Sequence, residues 1–242
     1  MKRIHLVGCG AVGCEFIKEL SKLCVSQASY IEIDVYDYDE VEERNVCSQS
    51  FDYYQIGMNK AEAAAKAFEN PYLIVRPHNT KVDLDQLNTF EVNEDTIIVD
   101  AVDHLPTRKI LWFYGMARRA PVLHLGLSLD KSGVIGWNYG AQNGYVFDFV
   151  LMPASQYEKL SNQDIKLLPC ELNSFRSIIA GVGVSAAISA ANYFGICSAG
   201  PLHDWLMTNG IGKVCEKLCA GYRITANSIE FKTKPDSFII ED

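Results

Sequence analysis

The chain has 242 residues, long enough for one substantial core, and its 48% hydrophobic and 21% charged content is that of a globular protein. A net charge of −8 with no block of basic residues argues against nucleic acid as a partner and leaves room for a basic protein surface. No apolar run reaches the ~18 residues of a membrane span, and Met1-Lys2-Arg3-Ile4-His5-Leu6 is too short and glycine-broken for a signal peptide, so no membrane partner is expected. The eight cysteines, at 9, 14, 24, 47, 170, 197, 215 and 219, read as reduced thiols in a cytoplasmic setting. Cys215 and Cys219 are the closest pair, but no second pair of zinc spacing accompanies them.

In chain order, a strand over Ile4–Val7 runs into Gly8-Cys9-Gly10-Ala11-Val12-Gly13, and a helix follows over about Ala11–Cys24, with Val12, Phe16, Ile17, Leu20 and Leu23 at helical spacing. In this strand–turn–helix setting Gly8 permits the tight turn, Gly10 lets a phosphate approach the backbone, and Gly13 lets helix and strand pack closely. The free N–H groups and positive dipole end of the helix then face an anion. A second strand, Tyr30–Tyr36, ends in Asp37-Tyr38-Asp39. An acidic residue at this strand end is placed to hold a nucleotide ribose; Asp37 is the better placed, and Asp39 also reads as a turn residue or cap.

Glu40–Asn59 reads as a long irregular polar segment of the kind that carries function. An alanine-rich helix covers Lys60–Phe68, and a lysine at a helix N-terminus opposes the dipole unless a phosphate lies nearby. Strands at Tyr72–Arg76, Thr96–Val99 and Val122–Leu125 alternate with a short helix or turn at Asp83–Thr89 and a helix over about Pro106–Met116. This alternation predicts an α/β fold with a parallel sheet and helices on both faces. The glycine loop, Asp37 and Asp103 all fall at strand carboxyl ends, where such sheets bind ligands. Beyond Gly126, two β runs, Gly133–Tyr139 and Gly144–Leu151, read as a hairpin. A polar loop leads to Pro169-Cys170, a small-residue helix over Phe175–Phe194, a helix at about Pro201–Met207, and a closing strand pair, Tyr222–Thr225 and Ser228–Lys232. The expected organisation is one domain over 1–242, with a nucleotide-binding half at about 1–126 and a crossover loop and C-terminal part at about 127–242.

The ordered set Gly8-Cys9-Gly10-Ala11-Val12-Gly13-Cys14-Glu15, Asp37 to Gln49, Ile56-Gly57-Met58-Asn59-Lys60-Ala61-Glu62, Asp100-Ala101-Val102-Asp103 and Pro169-Cys170 resembles the ThiF/MoeB/HesA superfamily of ubiquitin-activating-enzyme-like adenylyltransferases. The resemblance covers roughly Lys2 to Phe231, and within the superfamily the spacing is most similar to the ThiF-like proteins of plasmid and phage gene clusters. It implies a Rossmann-like ThiF-type fold, with a mixed, mainly parallel sheet and a C-terminal antiparallel extension. It also implies use of ATP and Mg²⁺ to adenylate the C-terminal carboxylate of a ubiquitin-like protein or peptide, often ending Gly-Gly, by a homodimer or heterodimer. Carried over residue by residue, Gly8, Gly10 and Gly13 would cradle the nucleotide, and Asp37, with Asp39 beside it, would hold the ribose. Asn45 and Gln49 would line the phosphate region, Lys60 would meet the phosphates, and Asp103 would bind Mg²⁺.

One departure bears on activity. Where the superfamily reads Asn-x-x-Arg-Gln, this chain has Asn45-Val46-Cys47-Ser48-Gln49. Ser48 brings no charge; Arg44 is the nearest substitute, with a solvated loop arginine as its bland reading. Only Lys2 and Arg3 precede the first strand, so the arginine that a partner's N-terminal extension often supplies is not expected either. Each lost donor would cost about 10²–10³-fold in rate, so a weakened pseudo-enzyme or scaffold is the alternative to an active enzyme. A nicotinamide oxidoreductase would account for the glycine loop and Asp37 but leaves Lys60, Asp103 and Cys170 unexplained. Cys170 occupies the place of the thioester-forming cysteine of some relatives, and a buried structural thiol is its other reading.

Overall fold

The computed structural model describes residues 1–128, 132–138, 176–196, 221–224 and 229–232. Its frame is an eight-stranded sheet built from β1 (Arg3–Val7), β2 (Ile31–Tyr36), β3 (Leu73–His78), β4 (Thr96–Asp100), β5 (Val122–Ser128), β6 (Ser132–Asn138), β7 (Gly221–Ile224) and β8 (Ile229–Lys232). The spatial order is β3-β2-β1-β4-β5-β6-β7-β8. The first five strands pair in parallel, and β6, β7 and β8 add antiparallel. Around the sheet stand α1 (Ala11–Ser26), α2 (Glu43–Ser48), α3 (Lys60–Phe68), α4 (Leu84–Leu87), α5 (Leu105–Arg118) and α6 (Arg176–Tyr193).

The apolar residues sort by strand alternation. Ile4, Leu6, Ile33, Val35, Val75, Ile97 and Val99 join Phe16, Ile17 and Leu20 of α1, the alanines of α3, and Val182, Ala186 and Ala190 of α6 in one core. Val7, Tyr36, Ile98 and Val122 form a second core with Leu87, Phe90 and Leu111. Burial on both faces is why the central strands read as near-continuous apolar runs. The exceptions in β2, Glu32 and Asp34, are buried but bonded: Arg76 grips Glu32 at 2.7 and 2.8 Å, and His78 meets Asp34 at 2.9 Å.

Among the described residues the expected strands and long helices form, most within two residues of their expected ends, and α3 matches its expected span. One expectation is corrected. The segment after β2 is not irregular: it holds α2 and a 3₁₀ turn, Tyr53–Gln55, each opened by a reciprocal capping box, Glu42 with Asn45 and Asp52 with Gln55. Over residues 133–136 one edge of β6 pairs with β5 and the other with β7; the run Gly144–Leu151, expected to form a hairpin with Gly133–Tyr139, lies outside the described residues. The expected helix at Pro201–Met207 also lies outside them.

Candidate functional site

The carboxyl ends of β1, β2 and β4 lie side by side, because β1 pairs with β2 on one edge and with β4 on the other. The glycine loop, Asp37 and Asp103 leave the sheet along this edge. Leaving β1, Gly8 adopts φ +92°, and a Cβ there would lie 2.8 Å from the Ala101 carbonyl oxygen beyond β4. A Cβ on Gly13 would sit 2.1 Å from the Gly8 carbonyl oxygen. Those two glycines are demanded by the packing of the loop itself. Gly10 is different: a Cβ there would meet nothing within 4 Å. Gly10 caps α1 without any side-chain hydrogen bond, so the helix start is left open to an external acceptor.

Asp37 ties this loop to the end of β2. One carboxylate oxygen accepts the Cys9 N–H at 2.7 Å and the other the Asp39 N–H at 2.9 Å. Burial pushes its pKa up, against those two N–H groups and the Lys60 charge, which favour the ionised form. Lone pairs remain on both oxygens for hydroxyl donors. Lys60 is buried at the first position of α3, and its ammonium bonds Asp39 Oδ2 at 2.9 Å. Burial acts against the charge on Lys60, but the Asp39 bond and the Asp37 field outweigh it, and its pKa is raised. The lysine is therefore cationic, and Asp39 serves it as a half-exposed counter-ion.

Sequence reasoning gave Asn59 no role, yet it organises this corner. Its oxygen accepts the Ala61 and Glu62 N–H groups as the cap of α3, and its amide donates to the Asp37 and Asp39 carbonyls at 2.9 and 3.1 Å. The available signal was an asparagine directly ahead of a helix start.

The 44–49 segment stands differently from expectation. Asn45 is buried and spends its oxygen on the Glu42 N–H at 2.8 Å, as a cap of α2. The Ser48 hydroxyl donates back to the Arg44 carbonyl at 2.9 Å. Arg44 is exposed and paired with Glu42, its Nη2 lying 3.0 Å from Oε1. Among the described residues the buried amide oxygen of Gln49 meets no partner. A half-turn of that amide would present its NH₂ group instead, so this end can meet either an acceptor or a donor.

At the end of β4, Asp103 is exposed. It lies close enough to Tyr38 to help raise that phenol's pKa, after burial and Asp39. Lys81 stands over the Tyr38 ring, 5.7 Å from its centroid. Beneath the turn, Asp100 is fully buried, receiving Arg108 at 3.2 Å, His124 Nδ1 at 2.6 Å and the Val102 N–H at 3.2 Å. This buried triple, spread over 24 residues of sequence, props the turn that carries Asp103; its members carried no shared motif. Cys9 and Cys14 are packed and buried with their sulfurs 3.5 Å apart, as expected for core thiols. Cys170 lies outside the described residues.

Comparison with known proteins agrees with this arrangement. The family model described as ThiF family matches residues 1–194. Ubiquitin-activating enzyme E1 1 of Arabidopsis thaliana is 30% identical over 151 residues, which cover 57% of this chain and 14% of that protein. Ubiquitin-activating enzyme E1 1 of Candida albicans (strain WO-1) is 28% identical over 185 residues, 72% of this chain and 17% of that protein. The chain thus spans less than a fifth of the length of these two relatives. Among solved structures, E. coli MccB with ATP matches with a TM-score of 0.67 at 17% identity, covering 98% of this chain and 64% of that one. This likeness is one of fold.

Proposed function

The chain belongs to the ThiF family, and from that premise we propose that it adenylates the C-terminal carboxylate of a ubiquitin-like protein or a peptide, using ATP and Mg²⁺. The observation that carries the reading is the open N-terminus of α1 at Gly10, preceded by the Cys9 N–H that bonds Asp37, whose field acts on the charged Lys60. Solved MccB complexes contain ATP and N-formylated MccA, and the curated relatives are ubiquitin-activating enzymes.

In this reading Asp37 accepts the ribose hydroxyls, and the backbone N–H groups at the start of α1 face the phosphates. An oxygen of the substrate carboxylate attacks the α-phosphorus. The bond to the bridging oxygen breaks, giving acyl-adenylate and pyrophosphate. Lys60 is buried and already cationic, so it meets the developing negative charge without a protonation step. Its partner Asp39 is half-exposed and can be released to solvent as the phosphates take the ammonium. For Mg²⁺, Asp103 fits as a single exposed hard-oxygen donor. In this reading the ion is held mainly by the phosphates, as Mg²⁺ commonly is, with one or two protein carboxylates. When bound, Mg²⁺ would neutralise phosphate charge. If Cys170 is a nucleophile, its thiolate attacks the acyl carbon of the adenylate and AMP leaves.

A second reading, a weakened enzyme or a scaffold for a partner protein, is favoured by the 44–49 segment. Ser48 returns its hydroxyl proton to the helix and Arg44 is held by Glu42, so neither is turned to an anion. The test is exchange of labelled pyrophosphate into ATP with Mg²⁺ and synthetic peptides ending Gly-Gly. Tail-dependent exchange supports the enzyme. Mg-ATP binding without exchange for any tail, with partner capture surviving a Lys60→Ala/Asp103→Ala double substitution, supports the scaffold.

A further inference from the structure

Glu15 lies in the second turn of α1 and is buried together with Val12, Phe16 and Ile17 of the same helix. A carboxylate withdrawn from water is costly unless it is bonded. Lys18 Nζ reaches both its oxygens at 3.0 Å, and the Ser50 hydroxyl donates to Oε2 at 3.2 Å. From the other side α6 closes over it at Gly183, where a Cβ would fall 2.6 Å from Glu15 Cγ. Glu15 is thus clasped between its own helix, α6 and the segment leaving α2.

That segment matters because of the residue before Ser50. Gln49 carries the buried amide oxygen that meets no partner among the described residues. Its backbone is pinned behind by the Asn45 carbonyl, which accepts the Gln49 N–H at 2.7 Å. Ahead, Phe51 is buried in the main core. Between these anchors the Ser50–Glu15 bond joins the segment to α1, the helix whose start would face the phosphates. An O–H to carboxylate bond is roughly twice as strong as its neutral counterpart and directional. We propose that Glu15 is a positioning residue: through Ser50 it sets the Gln49 amide at a fixed distance from the α1 N-terminus, so that both engage one phosphate-bearing ligand. This rests on the Mg-ATP reading of the site.

The test uses the full chain and measures Mg-ATP affinity by titration calorimetry, thermal midpoint, and hydrogen exchange at residues 48–51. Glu15→Ala and Ser50→Ala should each weaken Mg-ATP about tenfold. The double variant should be no weaker than either single one, because both remove the same bond. Glu15→Gln, which keeps an acceptor oxygen, should stay within about twofold of wild type. Exchange at 48–51 should rise in the two alanine variants and not in the glutamine variant. Wild-type affinity in Ser50→Ala, or losses that multiply in the double variant, would overturn the proposal. If Glu15→Ala does not fold, Ser50→Ala and Glu15→Gln decide it. If wild type itself binds no Mg-ATP, the reading of the site fails, and the exchange pattern decides the tie independently.

Discussion

Gly10 and Gly13 are three residues apart in one motif, yet their substitution by alanine should act on different properties, binding at Gly10 and stability at Gly13. At Gly13 the new methyl would lie 2.1 Å from the Gly8 carbonyl oxygen and 3.1 Å from its carbon. Its neighbour is backbone and cannot swing aside, so the cost sits at or above the upper end of the usual overpacking range, about 3 kcal/mol. For a chain of this size each kcal/mol moves the thermal midpoint by about 2–4 °C, so Gly13→Ala should lower it by about 6–12 °C. Gly10 has φ −78° and ψ −155°, which alanine adopts, and nothing within 4 Å of its Cβ. At this N-cap position alanine is poorer than glycine, which offsets the gain of about 0.4–1 kcal/mol from the restricted unfolded chain, so Gly10→Ala should leave stability within about 1 kcal/mol of wild type. Its methyl then occupies the space through which a phosphate approaches, and Mg-ATP affinity should fall at least about tenfold, or 1.4 kcal/mol. Differential scanning fluorimetry with and without Mg-ATP, with calorimetric titration, separates the two effects. Gly10→Ala binding Mg-ATP as tightly as wild type would refute the assignment of Gly10 to the ligand. Gly13→Ala melting at the wild-type temperature would refute the packing argument.

Lys60→Ala should reduce pyrophosphate exchange by about 10²–10³-fold; its thermal midpoint should barely move, since the abandoned Asp39 side chain is 51% exposed. Asp100→Asn leaves Arg108 buried without its counter-charge and should cost about 3–5 kcal/mol, read from urea unfolding; a loss under 1 kcal/mol would show that the triple does not brace the sheet end. Acidification should destabilise in two stages. Burial lowers the pKa of His5 and His124, so the unfolded chain binds protons first and stability falls as pH drops below about 6.5; His5→Gln should flatten that stage. Arg76 holds the Glu32 pKa down, so a further loss follows as pH falls below about 4.5, and Glu32→Gln should remove it. Urea midpoints unchanged between pH 7 and pH 5 would contradict the first stage.

Much of the site was legible from local pattern. Gly8, Gly10 and Gly13 answer to steric demands within six residues of chain, and a strand followed at once by a helix places them. Lys60 opens α3 at the predicted residue because Asn59 is a good cap and the alanines behind it favour helix. The two capping boxes after β2 were also present as short spacings, and they went unread because the segment is polar throughout. Strand pairing was less legible: period-two alternation says that a run is a strand but not which strand it will pair with, and β6 pairs along one edge with β7, about 85 residues later.

What the amino-acid sequence determined by itself is the parallel α/β frame, the glycine loop and the family, since each rests on residues close together or on their order along the chain. Only the tertiary structure decided how the charges are shared. It gives Lys60 to Asp39, Arg44 to Glu42, and both Arg108 and His124 to Asp100. It also leaves the Gln49 amide oxygen without a partner among the described residues and clasps Glu15 between α1, Ser50 and Gly183. Ion pairs and hydrogen bonds act over about 3 Å, and the separations that create them are set by how strands and helices pack, not by distance along the chain.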